Sequence, residues 1–197
     1  TEVIQVAIFE YFILKDKLNI FGISGIIIAT LGVIIMTIKD LKLFFNNFFS
    51  KTTLIGLISG LFLGLSVVYF RAAALSLENF SSNFEKALST LFLGLLIQTF
   101  IITIYLLIFE KSEFKKLYNN KLESCLAGLA GFMATLSWFY AFTLMQASFV
   151  RALGQIEIFF SYLSSKYLFK EKLKFSEILG IMIFVSGVML MLVTRVD

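Results

Sequence analysis

The residues of this chain that could do chemistry are few, and they sit inside apolar runs. The clearest set is Glu157, Ser161 and Ser164, within IEIFFSYLSS. On a helix they fall at i, i+4 and i+7, within roughly 40° of one line, and the opposite positions are Ile and Phe. A charged group in hydrocarbon costs at least ~2.5–3.5 kcal/mol on insertion scales, so it needs a partner or a water-filled cavity. This stripe therefore faces a bundle interior, either as a hydrogen-bond seam between helices or as a contact for substrate or protons. Arg151 precedes Glu157 by six residues, roughly 120° around the helix. It is expected to meet a neighbouring helix, a phosphate headgroup or an anionic substrate group rather than Glu157. Glu2 is a further carboxylate, and Glu10 lies on a neighbouring face of the same run, expected nearer the interface. Arg71, late in the run VVYFRAAAL, either snorkels to the interface or contributes to function. Trp138 and Tyr140, in SWFYAFTLMQ, form either an interfacial aromatic belt or a wall facing a substrate.

Other chemistries lack their residues. The chain has no histidine and one cysteine, Cys125. That removes imidazole acid–base work, imidazole ligation of zinc or haem, an intrachain disulfide and any CxxC metal site. No GxxxxGK[ST] motif is present, so an ATP-driven pump is not supported. No metal, no cofactor and no catalytic residue is expected, and a membrane-embedded enzyme is the weakest of the functional readings. The net charge is +4, but Lys and Arg collect in connectors between apolar runs. That is the placement found in polytopic membrane proteins and not a nucleic-acid patch.

The elements that must position these groups are membrane helices. Hydrophobic residues make up 59% of the chain and charged residues 15%, against roughly 45–50% and ~25% in a soluble domain. The apolar runs are continuous rather than alternating, which favours helices over strands. Spans are expected at 20–38, 53–76, 87–109, 124–145, 148–168 and 175–194. A partial helix at 1–14 is read as the end of a span begun upstream in a truncated chain. The expected fold is thus an all-α polytopic transmembrane bundle of about six complete helices plus one partial. Gly56, Gly60 and Gly64 repeat every four residues, a doubled small-xxx-small motif expected at a helix–helix contact, with a backbone surface lining a substrate path as the alternative.

The start of the chain is repeated near its end. A shift of 155 positions superposes residues 1–36 on 156–191 without a gap. Glu2 falls on Glu157, Lys15 on Lys170, Lys17 on Lys172, Gly25 on Gly180 and Gly32 on Gly187. Apolar helices resemble one another by composition, so the matched Glu, Lys and Gly carry the argument for duplication. Gly25, Gly32, Gly180 and Gly187 are also candidate packing positions. Internal duplication is common in secondary transporters.

The run from Leu136 to Met191 resembles the last three helices of an EamA domain, of the drug/metabolite transporter superfamily. The likeness lies in a helix ending in small and aromatic residues, a short link, and a Q-x-E/P-like helix start at Gln155 and Glu157. A charged [EK]-x-[LI] elbow and the G-x6-G spacing of Gly180 and Gly187 follow. Residues 1–38 resemble the end of a first repeat, 39–52 a connector, and 53–195 a complete second repeat. Many family members carry Q-x-x-P in the 148–168 helix; this chain has no proline, so no proline kink is expected there. The resemblance implies a ten-helix, 5+5 inverted-repeat transporter with a central cavity, for which Glu157, Ser161, Ser164, Arg151, Gln155, Trp138, Tyr140, Arg71 and Glu2 are the candidates. The leading expectation is a secondary transporter of a small metabolite such as an amino acid or analogue, in a bacterial inner membrane. A flippase for lipids or lipid-linked sugars is the alternative. The expected partners are the small-molecule substrate, the lipid bilayer and, as an option, a second copy in a homodimer.

Overall fold

A computed structural model describes residues 2–37, 50–80, 82–168 and 175–193, and among these residues the regular structure is all helical. In chain order the helices are α1 Glu2–Ile13, α2 Ile20–Thr37, α3 Lys51–Leu75, α4 Asn83–Phe109, α5 Ser112–Asn119, α6 Lys121–Leu144, α7 Ala147–Gly154, α8 Ile156–Leu168 and α9 Phe175–Val193. Five of them, α2, α3, α4, α6 and α9, are long and apolar enough to cross a membrane. The elbow that matches the repeat, 169–174, lies outside the described residues.

Local sequence sets several ends. Ser82 accepts a hydrogen bond from the Phe84 N–H at 3.3 Å and caps α4. Glu85 follows three residues later, the spacing of a capping box. After α1 the backbone turns through Lys15 at φ 57°, a left-handed residue of the kind that ends helices.

The fifth expected span, 148–168, is not continuous. It is broken between Gly154 and Ile156 into α7 and α8. No proline is involved: glycine weakens helical continuity, and the Gln155 N–H closes a tighter turn on Ala152 O at 3.2 Å.

The chain forms two compact units, residues 1–69 with 145–197, and residues 70–144. In the first, α2 and α9 meet along a glycine seam. A Cβ on Gly32 would lie 2.7 Å from Gly180 O, and one on Gly25 2.8 Å from Gly187 O. The reciprocal contacts hold: Gly180 faces Gly32 O at 2.7 Å and Gly187 faces Gly25 O at 2.8 Å. Early positions of α2 meet late positions of α9, so the helices are antiparallel. Shifting α2 by 155 residues maps this contact set onto itself, as a pseudo-two-fold requires. Met36 and Met191, also matched by the shift, are 2% and 1% exposed beside the seam. Val3, Ile26, Phe149, Ala152 and Met191 form a second patch of core that ties α1 and α7 to it.

In the second unit α4 packs on α6 through Ala87, Leu91, Leu136 and Phe139, with Phe70 against them. The outer surface of α4 is apolar, with Phe92, Leu96, Ile97, Phe100 and Ile101 all more than half exposed. Such a face suits hydrocarbon rather than water.

Candidate functional site

The break between α7 and α8 is where the polar residues gather. Arg151 stands in the last turn of α7 and Glu157 in the first turn of α8. Each charge complements its helix end, a cation at a C-terminus and an acid at an N-terminus. Arg151 Nη2 lies 2.6 Å from Glu2 Oε1 of α1, with both side chains about a quarter exposed. Glu2, Arg151, Gln155 and Glu157 line one cavity of about 440 Å³ together with Gly56, Ser59, Gly60 and Leu63 of α3. The Gln155 carboxamide oxygen is buried and has no hydrogen-bond partner among the described residues. The cavity thus offers two acids, one guanidinium and a carboxamide acceptor beside glycine backbone. It can hold a small molecule that carries both charges, and no cluster of His, Cys, Asp or Glu among the described residues could hold a metal.

A third carboxylate, Glu10, organises this region without lining the cavity. Glu10 is 1% exposed. It accepts from Ala147 N at 2.6 Å, Ser148 N at 3.1 Å and Ser148 Oγ at 2.7 Å. Gln146, at the N-cap of α7, makes no side-chain cap bond, so α1 supplies the cap from elsewhere in the chain. α1 therefore holds α7 near both ends, through Glu10 and through the Glu2–Arg151 pair. Glu10 is among the most buried side chains of the described residues. The cost of an acid in an apolar helix could have flagged it, but the N-terminus it caps lies 137 residues away.

The other candidates are placed differently. Ser161 and Ser164 are exposed and do not line the cavity with Glu157. The serine stripe is corrected here: all three residues share α8, yet only Glu157 and Ile158 at its start line the cavity, and the two serines further along the helix are exposed. Arg71 is buried and donates to the carbonyl of Phe142, which fixes the end of α3 to that of α6. Trp138 stacks on Phe142 with centroids 5.9 Å apart, and Tyr140 meets Phe84 edge-on at 5.9 Å. All three are engaged within the 70–144 unit.

The glycine series of α3 divides as well. A Cβ at Gly64 would sit 3.2 Å from Val6 Cγ2, a packing position, and one at Gly60 3.0 Å from Gln5 Oε1. At Gly56 a Cβ would meet nothing within 4 Å. Gly56 is corrected from a packing position to a cavity wall.

A chain whose described residues are helical and include five apolar helices of membrane-crossing length is an integral, multi-pass membrane protein. The chain matches the family model of the EamA-like transporter family over residues 50–193 and belongs to that family. It is thus a transporter of the drug/metabolite type. No curated protein and no solved structure matches it.

Proposed function

We propose that the protein is a secondary transporter that moves a small zwitterionic metabolite, an amino acid or close analogue, through the cavity at the α7–α8 break. The observation that supports this reading is the convergence of Glu2, Arg151, Gln155 and Glu157 on one cavity. A substrate carboxylate takes the place of Glu2 on Arg151. Its ammonium group is then received by Glu2, Glu157 and the Gln155 oxygen. The exchange keeps each charge partnered in a low-dielectric surround, where an unpaired charge is costly. The helix break supports the same reading, because discontinuous helices are a recurrent way to present polar groups at membrane depth.

In this proposal residues 1–38 close a first repeat, 53–195 form a second, inverted one, and the membrane is a bacterial inner membrane. A flippase would favour an arginine-lined opening, whereas this cavity is lined by one arginine, Arg151. The test is uptake of radiolabelled amino acids into proteoliposomes holding the full-length protein. Arg151→Ala is expected to abolish uptake at unchanged membrane insertion. Uptake equal to that of the wild type would refute the assignment.

A further inference from the structure

We propose that Gly56 sets the size limit of the molecule the cavity accepts; this rests on the transport reading above. Gly56, Gly60 and Gly64 share one face of α3, yet only part of that face is crowded. Val6 and Phe9 explain why residue 64 has no side chain, at 3.2 and 3.6 Å from a Cβ there. The Gln5 carboxamide, 3.0 Å from a Cβ at residue 60 and donating to Leu57 O at 3.4 Å, explains residue 60. Nothing packs where the side chain of residue 56 would be. A glycine inside a helix weakens it, and no contact offsets that loss at Gly56.

What Gly56 does border is the cavity wall shared with Glu2, Arg151, Gln155 and Glu157. A second observation points to a ligand in the same place: the buried Gln155 oxygen, an acceptor with no partner among the described residues. The charged cluster holds the polar groups of the ligand, and the bare backbone at Gly56 leaves room for its remaining, variable part. A side chain at residue 56 would fill that room without disturbing the fold.

The test uses full-length protein in proteoliposomes, with radiolabelled serine and phenylalanine as probes and thermal unfolding in detergent as control. Gly56→Ala is expected to lower the phenylalanine-to-serine uptake ratio about tenfold, the scale on which a methyl-sized change discriminates substrates, and Gly56→Leu to lower it further. The unfolding midpoint should stay level or rise, whereas Gly64→Leu lowers it. An unchanged ratio, or a Gly56→Ala midpoint that falls as far as that of Gly64→Leu, overturns the proposal. A second arm needs no substrate. In a Cys125→Ser background, Gly56→Cys should react rapidly with a water-soluble methanethiosulfonate, and an unreactive thiol also overturns the proposal. If the wild type carries neither amino acid, the transport reading fails in that form, while the thiol arm still decides the placement of Gly56.

Discussion

Glu10 and Glu157 are both carboxylates on apolar helices, and the fold treats them in opposite ways. Glu10 is sealed and saturated by three donors at the start of α7. Removing it leaves two backbone N–H groups and a hydroxyl without their acceptor in an apolar surround. Glu10→Ala is therefore expected to destabilise the protein by about 2–4 kcal/mol, combining a lost cap with unsatisfied buried groups. Glu10→Gln should cost less, since its amide oxygen can still accept. Chemical unfolding in detergent measures both, and equal stability of wild type and Glu10→Ala would show that the cap is unimportant. Glu157 instead borders the cavity and is exposed to it. Glu157→Gln keeps the shape and loses the titratable charge. We expect lost or pH-independent transport with normal membrane insertion. Transport with the wild-type rate and pH dependence would assign Glu157 to architecture alone.

At the scale of helices, the α2–α9 seam brings backbone against backbone. Both partners bring glycines, and their backbones approach so closely that a Cβ on Gly32 would press on Gly180 O at 2.7 Å. Backbone cannot move aside as a side chain can, so Gly32→Leu should separate the helices and prevent a stable fold. Gly60→Leu meets the mobile end of Gln5 and should cost no more than ~1–3 kcal/mol, the usual range for overpacking. Thermal midpoints of the two variants check the order, and a Gly60→Leu protein less stable than Gly32→Leu would reverse it. The α7–α8 break is the other decisive element. It places the C-terminal end of one short helix and the N-terminal end of another at the same cavity, where Arg151 and Glu157 suit their ends.

For the whole molecule, the antiparallel α2–α9 pair has a topological consequence. Thr37 closes α2 and Phe175 opens α9, so these two residues belong on one face of the membrane, with Ile20 and Val193 on the other. In a Cys125→Ser background, Thr37→Cys and Phe175→Cys should react with a membrane-impermeant maleimide from the same side of sealed vesicles. Labelling from opposite sides would mean that the two copies run in the same sense and that the duplication is not inverted. The apolar outer surface of α4 completes the picture: with Phe92 and Phe100 exposed by 59% and 68%, this helix needs hydrocarbon around it.

Membrane class and helical architecture were legible in the sequence, because each is a property of continuous segments. Apolar runs of span length, cations mostly in connectors and an ungapped 155-residue shift are readable without knowledge of any contact. The same shift anticipated that Gly25, Gly32, Gly180 and Gly187 are packing positions, since matched glycines imply a matched close approach. The tertiary structure decided what depends on separate segments meeting. It placed Glu10 on a helix end 137 residues away and split the expected 148–168 span at Gln155. It left Ser161 and Ser164 outside the cavity and joined Glu2 to Arg151. It also divided the α3 glycines into Gly64, which packs, and Gly56, which borders space. Periodicity along one helix tells which residues share a face; only the neighbouring helices determine whether that face meets protein, lipid or a cavity.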